Sequence, residues 1–468
     1  MKARIATSSS CPPAPSDVTS DSPANAPQGA IEGDTIAAIA TAVGVGGVGI
    51  VRASGPRAIE IAEELLGMTA LDRRVRVGWA RDRDGGRLDQ VLAFAMRGPA
   101  SFTGEDVAEL HGHGGTENLA RLLAAFVERG ARVAEPGEFT RRAVANGKLN
   151  LARAEALLDV IHAGSERAVR LAQQNLSGRL GEVAAALEAR VLVALAEIEG
   201  RIDFPEEGIT PADARAISGE LGDLIARCDA LAAGFRHGRA VQHGITVALA
   251  GAVNAGKSSL LNALVGRERA LVAAEPGTTR DYLEVATVWD GVAVTLIDTA
   301  GTRDAAAPIE AHGIALGERR VAEADVVVVL NDGIAPWNDG TAYGERALVV
   351  RSKADLAALG SWPVGALATS AQTHAGLDEL RARCLAIAGV AAREGSEDAL
   401  VTTERQHALA VAARDALEAS RRGWHDELAP ELVALELRQA SAALAQLRGV
   451  EVGDRVLDEV FARFCIGK

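Results

Sequence analysis

Eight residues in the middle of the chain, Gly251 to Ser258 (GAVNAGKS), have the spacing G-x-x-x-x-G-K-S. Residue types in this order suit one task, the cradling of a phosphate chain. Glycines let the backbone curl around an anion, with successive N–H groups turned inward as a nest. Lys257 is expected to reach the outer phosphates, and the Ser258 hydroxyl to ligate Mg²⁺. Asn254, Ala255, Gly256 and Ser259 complete the set of expected loop contacts. An apolar run, ITVALA, precedes the loop and a helical run, SSLLNAL, follows it. The loop therefore reads as strand–loop–helix, with the positive end of the helix dipole aimed at the phosphates.

A phosphate loop alone serves ATP or GTP. Four later segments narrow the choice, because they follow in the order a GTPase requires. Thr278 and Thr279 lie in PGTTRD, and Thr279 is the one expected to complete the Mg²⁺ shell and sense the γ-phosphate. The strand VTLID runs into DTAG, which comprises Asp298, Thr299, Ala300 and Gly301. Asp298 is expected to hold the Mg²⁺ shell and the Gly301 N–H to bond the γ-phosphate. SKAD places Asp355 where its carboxylate accepts two bonds from a guanine edge, and Lys353 where its stem packs over the base. Ser370 and Ala371 are expected to present a backbone N–H to the guanine carbonyl. These segments fall on strand ends, where the crevice of a doubly wound sheet lies.

Two departures carry predictions. Ser352 stands where N-K-x-D is common, so nucleotide binding is expected to be weaker, with guanine preference kept by Asp355. Thr302 follows DTAG, where small GTPases often carry a water-orienting Gln. Glu310, at the start of the next helix, is a candidate to hold that water; as a first-turn acid it equally suits the helix dipole.

The elements that must position these residues follow from texture. The chain has 468 residues, a length that suggests roughly three domains. Residues 1–33, rich in Ser, Pro and Ala, read as a disordered tail, with a transit peptide as the weaker alternative. Residues 34–148 mix short strands, glycine turns and helices (Ala58–Leu66, Glu117–Glu128) as an α+β domain. Residues 149–243 are a run of long helices rich in Ala, Leu, Glu and Arg. Residues 244–390 alternate buried strands and helices, a doubly wound α/β domain. Helical texture resumes over 391–468 after a short polar linker. The expected architecture is multidomain α/β: an α+β N-terminal domain, and an all-α bundle interrupted by an inserted Ras-like P-loop domain.

The formal net charge of −14 argues against a chain that grips nucleic acid mainly by itself, so an RNA partner needs a local basic patch or a basic protein. Cys11, Cys228, Cys384 and Cys465 are far apart, with no C-x-x-C pair, which argues against zinc and disulfide frameworks and fits a reducing cytosol. His111 and His113 in HGHGG read as loop-shaping residues rather than metal ligands. No apolar run is long enough to span a bilayer.

Over 34–468 the chain resembles the MnmE (TrmE) family of tRNA-modifying GTPases. The resemblance rests on DTIAAIA, GGVGIVR, SFTGEDVAELHGHGG, EPGEFTRRAVANGKLNLARAEA, GAVNAGKSSLLNAL, PGTTRD, DTAGTRD and the terminal FCIGK. It implies a folate-binding N-terminal domain and a helical domain split by the G domain. It also implies a homodimer, and a flavin-dependent (FAD) MnmG-type partner in a heterotetramer, acting on tRNA in the cytoplasm. The implied reaction adds a carboxymethylaminomethyl or aminomethyl group to C5 of the wobble uridine, using a tetrahydrofolate one-carbon unit (5-formyl- or methylene-tetrahydrofolate). Potassium is implied as activator, held by Asn254 and by groups from Ala273 through Glu275 to Thr278. Glu310 falls on the family's catalytic glutamate. Arg52, Glu109, Lys148 and Lys468 fall on folate-contacting positions, and Cys465 on a terminal cysteine with a suggested chemical role; a buried structural thiol is the equal alternative. Val45 departs from the Arg frequent in the glycine turn of relatives.

Two other functions stay open at this point. One is a ribosome-assembly GTPase, which calls for a basic RNA-binding module. The other is a folate-binding aminomethyl-transfer protein with a degenerate G domain, supported by Ser352 and Thr302 and opposed by Lys257, Ser258 and Asp298.

Overall fold

A computed structural model describes residues 33–203, 211–266, 283–298, 319–356, 366–390, 401–450 and 452–467. The tail expected over 1–33 and the linker after residue 390 lie almost wholly outside these. The chain divides into two compact units, one ending at Lys148 and including Gly467, the other spanning Leu149–Ile466.

In the first unit the outer strands alternate exposed and buried residues because helices cover one sheet face, whereas the central strand that starts the sheet is buried on both, with Ile36 and Ala38 packed on Phe139. The elements are β1 Ile36–Ile39, β2 Gly46–Ser54, α1 Ala58–Leu66, β3 Arg76–Arg81, β4 Arg87–Met96, β5 Val107–Gly114, α2 Thr116–Glu128, β6 Arg132–Val133 and α3 Glu138–Ala145. The strand order is β3-β4-β5-β2-β1-β6, antiparallel except for the β1–β6 pair. Ile61, Leu65, Leu110, Leu122 and Phe126 form the core under α1 and α2. The α+β expectation holds, with one correction. HGHGG starts on strand β5 rather than in a loop. Gly112 is there for close approach, since a Cβ would sit 2.5 Å from Asp89 Oδ2.

The second unit begins with helices α4 Leu151–His162, α5 Glu166–Ser177, α6 Arg179–Asp203, α7 Pro211–Ala233 and α8 Phe235–His243. A six-stranded sheet follows: β7 Ile245–Gly251, helix α9 Lys257–Val265, β8 Leu283–Trp289, β9 Val292–Asp298, β10 Val326–Asn331, β11 Ala347–Arg351, β12 Leu367–Ala368 and helix α10 Leu377–Ile387. Its order is β12-β11-β10-β7-β9-β8, with every pair parallel except β8–β9. Both faces are apolar: Val326, Val328 and Leu330 point into one cluster, Val327 and Val329 into another. This is the doubly wound sheet that the buried runs imply. β8, absent from the sequence reading, is the antiparallel edge.

The helices α11 Glu404–His425, α12 Pro430–Arg448 and α13 Asp454–Phe461 close the chain. Leu180, Val191, Ile198, Leu221 and Leu224 before the sheet share one core with Leu417, Leu437 and Leu444 after it. The two helical portions thus form one bundle, as their common texture implies.

A buried polar cluster ties the two chain crossings between bundle and sheet. Arg405 Nε and Nη2 each donate at 2.7 Å to the two oxygens of Glu155. Gln406 Nε2 donates to Glu155 at 2.8 Å, and the Thr402 hydroxyl to Asp159 at 3.1 Å. Gln242, three residues before β7, donates to the Asp159 carbonyl at 2.9 Å. Asp159, Glu155, Thr402 and Gln406 are all buried.

Candidate functional site

The cradle is built where β7 ends and α9 begins. Gly251 has φ of 146°, and a Cβ there would lie 2.6 Å from the Leu330 carbonyl oxygen on the neighbouring strand. Asn254 and Gly256 also have positive φ, 64° and 95°. These left-handed residues turn the backbone around a concavity, the geometry of an anion nest. Lys257, the first residue of α9, is buried and its ammonium donates to the Gly251 and Ala252 carbonyls at 3.0 and 2.8 Å. Phosphate oxygens would be stronger partners for it, because the bond is then charge-assisted on both sides.

Magnesium chemistry needs hard oxygen donors beside the phosphates. Leu249 of β7 is in register with Asp298 of β9, which brings the end of β9 alongside the loop. There the Ser258 hydroxyl donates to Asp298 Oδ2 at 2.6 Å. Asp298 is buried, so its oxygens are held in place. The pair fits the hydroxyl and carboxylate that an Mg²⁺ shell requires.

On the other side of the loop a cavity of about 430 Å³ is lined by Gly256, Leu260, Lys353, Asp355, Thr369 and Ala371. Ser370 donates its hydroxyl to Asp355 Oδ1 at 2.5 Å, and this bond holds the Asp355 carboxyl below the usual carboxylate range. The carboxylate thus stays an acceptor, as a guanine N–H edge needs. Lys353 has positive φ, and its ammonium pairs with Asp332 at 3.4 Å. Ser352 is spent on the neighbouring strand: its N–H and hydroxyl both donate to the Asn331 carbonyl, at 2.8 and 3.2 Å.

One assignment changes. Ser370 and Ala371 were both expected to offer a backbone N–H to the base. The Ser370 N–H donates to the Ala375 carbonyl at 3.0 Å, which leaves Ala371 as the candidate for that role. Ala273, Glu275, Thr278, Thr279, Thr299, Ala300, Gly301, Glu310 and Lys468 lie outside the described residues.

In the first unit the register sets Arg52 opposite Glu109. Arg52 Nε donates to Glu109 Oε1 at 2.7 Å, and its Nη1 to the Gly467 carbonyl at 3.4 Å. His111, which sequence reasoning placed in a loop, bonds Glu109 Oε2 through Nε2 at 2.9 Å and tilts against Phe94. Burial pushes the Glu109 carboxyl up, but the bonds from His111 and Arg52 outweigh it and leave the carboxyl below its usual range. The available signal was the i, i+2 spacing of Glu109 and His111, which puts both on one face of a strand. Lys148 donates to the Pro99 carbonyl at 3.0 Å. His113, likewise, bonds Asp89 through Nδ1 at 2.7 Å. Val45 is exposed in its glycine turn. Cys465 is exposed rather than buried, whereas burial pushes Cys228 up to about 11 and Cys384 up to about 12.

Loop, Ser–Asp pair and base pocket all open on the same ends of β7, β9, β11 and β12. A parallel sheet that carries them there is a P-loop domain of the guanine-nucleotide type. The family models agree over nearly the whole chain: "GTP-binding protein TrmE N-terminus" matches residues 35–148 and "MnmE helical domain" residues 151–465. The tRNA modification GTPase MnmE of Synechococcus sp. (strain RCC307) is 43% identical over 449 residues, covering 93% of this chain and 98% of that protein. The tRNA modification GTPase MnmE of Symbiobacterium thermophilum is 40% identical over 459 residues, covering 93% and 99%. The chain belongs to the MnmE family of tRNA modification GTPases. Among solved structures, the G domain of the T. maritima FeoB iron transporter is 25% identical, covers 31% of this chain and 98% of its own, and has a TM-score of 0.24, too low to bear on the fold.

Proposed function

We propose that this chain hydrolyses GTP to GDP and phosphate, and that the cycle serves tRNA modification. The observation that supports it best is the 2.6 Å Ser258–Asp298 bond, set in one crevice with the Asp355 pocket. Lys257 binds the outer phosphates, Ser258 with Thr279 holds Mg²⁺ in a shell that Asp298 supports, and Asp355 reads the guanine edge. Thr299, Ala300 and Gly301 contribute contacts to the nucleotide, with the Gly301 N–H as donor to the γ-phosphate. Asn254, with Ala273, Glu275 and Thr278, holds K⁺, and Glu310 orients the attacking water. The metals supply positive charge against the charge that builds during phosphoryl transfer, the part an arginine finger plays elsewhere at about 10³–10⁵ in rate.

In the first unit Arg52 and Glu109, with Lys148 and Lys468, bind a tetrahydrofolate derivative. A pterin edge suits a carboxylate acceptor, and its glutamate tail suits Arg and Lys donors. With a flavin-dependent MnmG-type partner, the dimeric chain then directs a carboxymethylaminomethyl or aminomethyl group to C5 of the wobble uridine. We place this work in the cytoplasm, with the domain boundaries at 148, 243 and 390.

Two measurements test the proposal. GTP turnover by the purified chain should be much faster in K⁺ than in Na⁺; equal rates would remove the potassium site. Deletion of the gene should leave bulk tRNA without the C5 substituent; unchanged wobble uridines would remove the pathway.

A further inference from the structure

The acidity of the chain hides one strongly basic element. Arg73, Arg74, Arg76, Arg81, Arg83 and Arg87 fall within the β3–β4 hairpin and its approach, where the acids are Asp72, Asp82, Asp84 and the buried Asp89, which is held by His113 and Asn118. Two of those acids are occupied by backbone: Asp72 accepts from Arg74 N at 2.8 Å, and Asp82 from Gly86 N at 2.7 Å. None of the six arginines is in an ion pair with a described carboxylate. Elsewhere in the same unit Arg132 and Arg142 are held by Asp34, Glu105 and Glu138. Arg74, Arg76, Arg83 and Arg87 are exposed.

The hairpin is also apolar where solvent meets it. Val75 is 61% exposed, Val77 59% and Leu92 46%. Trp79 is 38% exposed, with the Arg87 guanidinium 4.7 Å from its ring centroid. β3 is the edge strand of the sheet, so the hairpin has one open flank. Charged residues on an edge strand do protect against aggregation, but that device does not call for an exposed tryptophan and three exposed aliphatics beside them. Unpaired arginines with an aromatic plane suit single-stranded RNA: phosphates take the guanidinium groups, and an unstacked base lies on the ring.

We propose that the β3–β4 hairpin is a tRNA-docking surface, with Arg74, Arg76 and Arg83 on backbone phosphates and the Trp79–Arg87 pair stacking an unpaired base. This rests on the reading of the chain as a tRNA-modifying enzyme and adds where the RNA touches it.

The test is binding of unfractionated tRNA to the full chain across a salt series. The triple variant Arg74→Ser/Arg76→Ser/Arg83→Ser should lose at least tenfold in affinity at low salt. Its slope of log K against log salt should shrink by about two to three, at roughly 0.7–0.9 per lost phosphate contact. Trp79→Leu should cost roughly fivefold or more without moving the slope, because stacking releases no counterions. A thermal melt of the full chain against the parent reports that each variant is folded. A charge-matched control, Arg170→Ser/Arg179→Ser/Arg227→Ser, should bind as the parent does. The proposal is overturned if the triple variant keeps affinity and slope, if the control loses as much, or if the parent chain binds no tRNA. Failure of the underlying reading shows separately, as unchanged wobble uridines in tRNA from cells lacking the gene.

Discussion

The Ser258 hydroxyl reaches across 2.6 Å to Asp298 Oδ2, joining the first turn of α9 to the end of β9. Replacing Asp298 by Asn keeps the shape and removes the charge that supports a bound cation. Magnesium affinity is expected to fall about 10–100-fold, as for other outer-shell metal supports. The Mg²⁺ dependence of GTP turnover measures it; an unshifted curve would place the cation elsewhere.

In the proposed function Asp355 carries the base preference. Asp355→Asn exchanges one acceptor oxygen for a donor, which a guanine N–H edge cannot use. GTP affinity is expected to drop about 10–10²-fold, the scale of a lost charged hydrogen bond. Ser370→Ala should give a smaller loss in the same direction, since it frees the carboxylate without discharging it. Titration with GTP and ATP checks both; equal affinity for the two nucleotides in the parent chain would defeat the assignment.

Ser352 lines the base pocket but spends its hydroxyl on the Asn331 carbonyl. Ser352→Asn is expected to tighten guanine nucleotides about 2–10-fold, the value of one net hydrogen bond. Calorimetry would read it, and weaker binding would mean that the site has no room for the amide.

Arg405 neutralises the buried Glu155 through two 2.7 Å bonds. Arg405→Leu strands that charge and should cost about 3–5 kcal/mol, the usual loss when one partner of a buried pair is removed. A melt of the variant against the parent gives the figure. Loss under 1 kcal/mol would show that Gln406 alone satisfies Glu155.

Asp159 sets a pH dependence. Burial raises its pKa to about 7; the Thr402 bond opposes that rise and the neighbouring Glu155 charge adds to it. A carboxyl whose folded pKa lies above its unfolded value of 3.8 holds its proton better when folded. Its contribution to stability is therefore largest below about pH 4 and is lost as the pH rises to about 7. Asp159→Asn should flatten this part of the profile and gain on the parent at pH 8. Melting points at pH 5 and pH 8 decide it; parallel shifts would exclude Asp159 as the source.

The phosphate loop and its strand and helix were legible in the sequence because each rests on neighbours in the chain. Gly251, Gly256, Lys257 and Ser258 lie within eight residues, and local backbone geometry dictates their types. The buried runs of the central sheet and the helical texture on either side of it were legible for the same reason. The tertiary structure decided what depends on distant partners. Strand pairing, not local propensity, made HGHGG part of β5 and brought His111 to Glu109 beside Arg52. The Ser370 N–H was taken by Ala375 through the fold of its own turn. Glu155 meets Arg405 across 250 residues of sequence, a distance over which no periodicity speaks. Composition averaged the arginines of the β3–β4 hairpin into a net charge of −14, and only their lack of described carboxylate partners at the edge of the sheet sets them apart.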